Sequence, residues 1–374
     1  MFQISLAYNW LFLTESVQAI IICATCCVEG IPVISLRKLA QLAGVNPSTV
    51  TRALRDDRCI SEGQRMRIHA LAAEYHYHPN RLTQSLMTGR SSTIGVLIPS
   101  VVTPYSSRML AGILSIAEEK EYRVLIKETH GRPANTQVAI QMCIEQRVDG
   151  LLLDTGHLEA VPRKSIIELR SHQVVPVGLD ATTFDADVDH VHTGENDLAS
   201  QAVDYLLHLG HRSIAFIGRT IAGKFTGRAQ YIAKAFQTRL LSPRNFIDVQ
   251  HEPPYTHLPA ENLLARLLAQ SSPPTAIIAW EDPIAALLIN AAAALGVRVP
   301  RDVSILGFGN LSFASLVTPK LTTFEQHPEQ VGREAFVLFS KRAREQLGEK
   351  ASTMEVIAIR PTLIIRESCG PPPK

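Results

Sequence analysis

The chain has 374 residues, 46% hydrophobic and 19% charged, which suits two or three domains with real cores and excludes a fibrous or disordered chain. Its formal charge of +2 is unevenly spread: residues 31–92 hold nine basic against four acidic side chains, whereas residues 93–374 hold 28 against 29. The positive charge thus sits in a short segment, as expected of one that meets phosphate.

Residues 1–32 read as a leader. Val17–Val28 is an apolar run of about a dozen residues, short of the ~20 that a spanning helix needs, so no membrane partner is expected. Met1–Val28 holds no Lys or Arg, unlike the start of a secretion signal. The leader is read as an artefact of translation start, with a tethering or partner-binding segment as the alternative. Cys23, Cys26 and Cys27 cluster there, but no second Cys/His pair stands at zinc-finger spacing. With Cys59, Cys143 and Cys369 they read as reduced, cytosolic thiols, with no metal.

Residues 33–78 read as three short helices. Leu36, Leu39, Ala40 and Ala43 recur at helical spacing, and Gly44 can take the positive φ that stops a helix. Asn46 can cap the next helix and Pro47 suits its first turn, with Val50, Ala53 and Leu54 as its apolar face. Ser48, Thr49, Thr51 and Arg52 are left facing outward. A third helix is expected over Ser61–Tyr75, opened by a capping box of Ser61 and Gln64 and burying Met66, Ile68, Leu71 and Ala72. A Gly-containing turn between the first two helices makes a helix-turn-helix, whose second helix lies in the major groove. Arg52 is the base reader, able to contact a guanine edge with two N–H groups; Ser48 can reach a base or phosphate and Thr49 the backbone.

The run from Leu36 to Arg52, LRKLAQLAGVNPSTVTR, closely resembles the head of the LacI/GalR family of bacterial repressors. Tyr77-His78-Pro79-Asn80 and the residues to Leu86 resemble that family's boundary and hinge helix. The resemblance implies a hinge over residues 79–92, with Asn80 at its start, Thr83 and Leu86 in the minor groove, and Leu86 as the wedge that bends the duplex. Pro47 stands where the family often has a large base reader, so the operator sequence does not carry over.

From residue 93 to 366, short β-rich runs alternate with amphipathic stretches. Ile94–Ile98, Val124–Ile126, Leu151–Leu153, Val174–Val177, Ile214–Ile217, Ala276–Ala279 and Val303–Leu306 read as buried parallel strands, with Met109–Glu121 and Leu198–Leu209 as helices. The fold class is α/β, doubly wound, after an all-α helix-turn-helix head, and the family resemblance implies that this α/β part is a two-lobed sensor. The family resemblance, carried here by Gly210-His211 to Gly218 and by Val299 to Phe308, implies a domain like the periplasmic binding proteins. Its ligand lies between the carboxyl ends of the strands of two lobes. It places effector contacts at Arg228, at Glu281 and Asp282, where the family has an Asn-Asp pair, and at Gly309, where it usually has an aspartate for sugar hydroxyls. Arg108, after Tyr105, falls at the start of the first sensor helix, where N–H groups and a cation together favour anions. Arg108 and Arg228 together suggest an anionic effector, such as a sugar acid or sugar phosphate, and a neutral sugar is in doubt.

The expected function is a repressor of a catabolic operon, a homodimer on a pseudo-palindromic operator in double-stranded DNA, with no cofactor. A transporter's solute-binding protein is the alternative, which the basic head argues against. Catalysis is not expected, for there is no G-x-S-x-G, H-E-x-x-H or P-loop. His190 and His192 read as a strand edge, and Glu281-Asp282 as the cap of a helix near Pro283. The tail, residues 367–374, has no heptad run to make a tetramer.

Overall fold

The computed structural model describes residues 34–77, 90–154, 161–180, 187–218, 220–221, 224–225, 227–241, 246–248, 258–345 and 353–373. The expectations for the leader, Asn80, Thr83 and Leu86 lie outside the described residues. By its internal contacts the chain divides into two compact units, residues 1–88 and 89–374.

The first unit holds helices α1 (Leu36–Ala43), α2 (Pro47–Ala53) and α3 (Glu62–Glu74). The Ser35 hydroxyl accepts the Lys38 N–H at 3.2 Å and so caps α1. Gly44, at φ 70°, turns the chain out of it, with its N–H and that of Val45 closing on the last carbonyls of the helix. A small core of Leu39, Ala40, Ala43, Val50, Ala53, Ile60, Ile68 and Ala72 joins the three helices. Two expectations for α3 fail. The Ser61 side chain makes no cap bond, and Met66 is 67% exposed. Ile68 and Ala72 set the inward face, and two residues along an α-helix is a turn of roughly 200°, which sends Met66 to the opposite side.

The second unit is a two-lobed α/β structure. In the first lobe, β1 (Thr93–Ile98), β2 (Arg123–Glu128), β3 (Gly150–Leu153), β4 (Val175–Leu179), β5 (His190–His192) and β13 (Val356–Ala358) form one sheet in the order β13-β5-β4-β3-β1-β2, all parallel. Helices α4 (Pro104–Glu119), α5 (Pro133–Glu145), α6 (Arg163–Ser171) and α11 (Pro328–Glu345) belong with it. The second lobe contains β6 (Ile214–Gly218), β9 (Phe246–Asp248), β10 (Ala276–Ala279), β11 (Ser304–Phe308), β12 (Thr322–Glu325) and β14 (Thr362–Ile364), ordered β14-β12-β11-β10-β6-β9. All its pairs are parallel except β12 with β14. Its helices are α7 (Glu195–His208), α8 (Arg228–Thr238), α9 (Ala260–Leu268) and α10 (Asp282–Ala294). A two-residue hairpin pair, β7 (Thr220–Ile221) with β8 (Lys224–Phe225), stands apart from both sheets.

The seven expected strands are present, and six are continuous apolar runs buried on both faces; the burial expected of Val124–Ile126 is corrected, for β2 is the edge of its sheet and Ile126 is 38% exposed. The histidines need correcting: β5 lies between β4 and β13, so His190 and His192 are inside the sheet. The chain passes from one lobe to the other after β5, after β12, and between β13 and β14. Near the second crossing, α4 and α11 meet backbone to backbone. A Cβ on Gly112 would lie 2.1 Å from the Glu329 carbonyl oxygen, and one on Gly332 would lie 2.2 Å from that of Met109. Only glycine allows this approach, and it brings the start of α11 beside the first turns of α4.

Candidate functional sites

On the head, α2 buries Val50 and Ala53 and leaves Asn46, Pro47, Ser48 and Arg52 exposed, with Thr49 and Thr51 half-buried. The Thr51 hydroxyl donates to the Pro47 carbonyl at 3.0 Å, within its own helix, and this bond competes with an outward contact. Arg52 is half-exposed and donates from Nε to Asp57 Oδ2 at 2.8 Å. Asp57 in turn accepts the Cys59 N–H at 2.9 Å. The Arg52 and Cys59 donors hold the Asp57 carboxyl down at about 2, so the pair stays charged at ordinary pH. Because Nε is the atom held, the two terminal nitrogens of Arg52 keep the fork that a guanine edge requires. Asp57 as the residue that aims Arg52 was missed in the sequence, where it falls beyond the end of the helix.

In the second unit a cleft of about 200 Å³ opens where strands of both lobes end. Tyr105, Arg108, Arg228, Glu281 and Gly309 line it together, as the sequence suggested. Asp282 does not. It is fully buried as the first residue of α10, accepting the Thr323 hydroxyl at 2.6 Å and the Leu311 N–H at 2.8 Å. The pair at 281–282 stands at a helix start, with Glu281 in the cap position, but the Glu281 side chain makes no cap bond, so the expected cap is corrected. Gly309 sits at φ 125°, where an aspartate would be strained, and its N–H is held by the Phe324 carbonyl at 2.8 Å.

The two arginines are matched within the protein. Arg228 is buried and forks onto Glu195, with Nε at 3.0 Å and Nη2 at 2.7 Å, while Nη1 donates to the Trp280 carbonyl. Its guanidinium lies 4.5 Å from the Phe308 ring centre and 5.5 Å from that of Trp280. Burial opposes its charge, but Glu195 more than offsets this and its pKa is raised. Arg108 forks onto Glu329, with Nε at 2.6 Å and Nη2 at 2.9 Å. It also meets Glu325 at 3.2 Å and donates from Nη1 to the Gly309 carbonyl at 2.7 Å. The expectation of an anion gripped by these two cations is therefore corrected: each already neutralises a carboxylate, and the described wall adds Asp154, Asp180 and Glu281. Burial, and then the field of Asp180, Asp154 and Glu195, pushes the Tyr105 pKa well up, so its hydroxyl stays neutral.

Asp154, Asp180, Glu195, Trp280, Phe308 and Gln326 are lining residues that sequence reading passed over. A usable signal existed for two of them. Asp154 and Asp180 directly follow β3 and β4, the position where open parallel sheets hold their ligands.

Comparison with known proteins gives two matches along the chain. Residues 35–80 match the model described as bacterial regulatory proteins, lacI family, and residues 203–369 the model described as a periplasmic binding protein-like domain. The HTH-type transcriptional repressor PurR of Pectobacterium carotovorum subsp. carotovorum (strain PC1) is 28% identical over 343 residues, covering 91% of this chain and 98% of its own. The repressor of the same name from Erwinia tasmaniensis is 29% identical over 348 residues, with the same coverage. Among solved structures, the lac repressor dimer bound to operator and the anti-inducer ONPF superposes with a TM-score of 0.76 at 22% identity, covering 90% of this chain and 99% of the other. The CelR–cellobiose complex does so with a TM-score of 0.62 at 21% identity, over the same shares. At those identities the structural likeness speaks for the fold.

Proposed function

We infer, from the premise that this chain belongs to the LacI/GalR family of bacterial transcriptional regulators, how its two units divide the work of a repressor. It is a DNA-binding transcriptional repressor with an effector-binding domain, and not an enzyme. The head reads one half of a pseudo-palindromic operator in double-stranded DNA, and two copies of the chain form a homodimer to read both halves. A lone helix-turn-helix makes too small an interface for specificity at physiological salt.

The observation that carries this reading is Arg52, held at Nε by Asp57 on the exposed face of α2 with its terminal nitrogens open. Selection of duplexes from a random pool by the full-length protein tests it: enrichment of a two-fold symmetric site is expected, and a pool that stays random would sink the reading. Arg52→Ala is then expected to cost about 1–3 kcal/mol at one base pair of each half-site, read by fluorescence anisotropy across single-position operator variants. A uniform loss over all sequences would reassign Arg52 to a phosphate.

The effector is a small molecule seated in the cleft, flanked by Trp280, Phe308 and Tyr105, with Glu281 and the N–H groups that Arg228 does not spend on Glu195 and Trp280 as polar contacts. It controls the head by binding one arrangement of the lobes more tightly than another, and the control it exerts is limited to that difference. The hinge over residues 79–92 passes this change to the head.

A further inference from the structure

Arg108, in the second turn of α4, reaches across the cleft. Its ion-pair partner Glu329 starts α11 and belongs to the same lobe, but Gly309 and Glu325 follow or end strands of the other lobe. Four of its five N–H groups are spent on these three residues: Nε and one of Nη2 on Glu329, the other of Nη2 on Glu325, and one of Nη1 on the Gly309 carbonyl. The contact sits beside the second crossing between the lobes, which runs from Glu325 to Pro328, and there the Arg108 side chain is 28% exposed and that of Glu325 11%. Backbone approach of α4 to α11 fixes its root, and Gly309, at φ 125°, presents its carbonyl to Nη1.

Resting on the reading of this cleft as the effector site, we propose that Arg108 is a latch between the lobes that stands in for a ligand, and that the effector displaces it with hydrogen-bond donors. Every group the latch would release is an acceptor: one backbone carbonyl and two carboxylates. A molecule that replaces it therefore brings donors, best a positively charged amine or amidine, and an anion would meet two carboxylates. Without ligand, Arg108 already joins the lobes beside the second crossing. Ligand entry exchanges an internal fork for an external one, so the two states differ in which lobe contacts exist, as a regulated equilibrium requires.

Hydrogen exchange on the full-length protein tests the latch without any known effector. In Arg108→Ala, the backbone amides of residues 307–311 are expected to exchange at least tenfold faster than in the wild type, with β6 and α7 unchanged as the control for folding. Arg108→Lys is expected to fall between the two, since an ammonium cannot make the fork. Millimolar methylguanidinium, used as the probe, should slow exchange in Arg108→Ala and leave the wild type as it was. The affinity of Arg108→Ala for an operator selected with the wild type should shift at least threefold. Unchanged exchange at 307–311, or no response of Arg108→Ala to methylguanidinium, overturns the latch; unchanged operator affinity overturns its regulatory role. The exchange arms involve no DNA, so a wild type that selects no operator would strike the repressor reading alone.

Discussion

Arg228→Ala is expected to destabilise the sensor by about 3–5 kcal/mol, because it strands the Glu195 carboxylate in a site with little access to water. Glu195 accepts two N–H groups from Arg228 and one from Gln326 at 3.0 Å, and both partners of the ion pair are at most about a tenth exposed. Removal of the guanidinium also uncovers the faces of Phe308 and Trp280 against which it lies. The loss has two parts that can be separated. Arg228→Met restores most of the volume but not the charge, while Arg228→Met with Glu195→Gln removes the stranded charge as well. Urea unfolding of the three variants should rank the double variant above either Arg228 variant alone. A double variant as unstable as Arg228→Ala would show that packing on the two rings, and not the buried charge, sets the cost. The pair ties the start of α7 to the start of α8, and both of its residues line the cleft.

Asp282 carries the second large effect, and it has a pH signature. Burial raises its pKa to about 6, against the pull of Thr323 and Leu311, from an ordinary value of 3.8. A carboxyl whose folded pKa is raised binds its proton more tightly in the native state than in the unfolded chain between those two values. Stability from this group is therefore greatest below about pH 4, declines as pH rises through the window, and is level above about pH 6. The full drop approaches about 3 kcal/mol, because each tenfold difference in proton affinity between the folded and unfolded chain is worth about 1.4 kcal/mol. Asp282→Asn should flatten this slope in urea midpoints measured from pH 4 to 7, and an unaltered slope would assign it to another group. At pH 7 Asp282→Ala should still cost about 2–4 kcal/mol, since it orphans the Thr323 hydroxyl and the Leu311 N–H that the carboxylate holds.

Much of the architecture was legible because it is written in short-range patterns. The head needs only the 3.6-residue spacing of Leu39, Ala43, Val50 and Ala53, a glycine at the turn, and a proline in the first turn of α2. Buried parallel strands declare themselves as apolar runs such as Leu151–Leu153 and Ala276–Ala279. Short or late strands escaped. β9, β13 and β14 have three residues each, too few for a period to register, and they exist because neighbouring strands supply their partners. Met66 shows the converse error, where apolar character was taken for burial and the phase of the helix decided otherwise.

For the cleft, sequence and resemblance selected five of the lining residues, including Arg108, Arg228 and Gly309. They could not say what those residues were already doing. By itself the sequence determined that a basic helix-turn-helix head precedes a doubly wound α/β part, because charge distribution and hydrophobic period are properties of neighbours along the chain; its two lobes were implied by the family resemblance. Only the tertiary structure decided that Arg52 is aimed by Asp57, that Asp282 lies beneath the cleft, and that Arg108 and Arg228 are satisfied from within. The three arginine outcomes rest on carboxylates from 5 to 221 residues away in the sequence, and the pairing of charges depends on distance through space, which no spacing along the chain encodes.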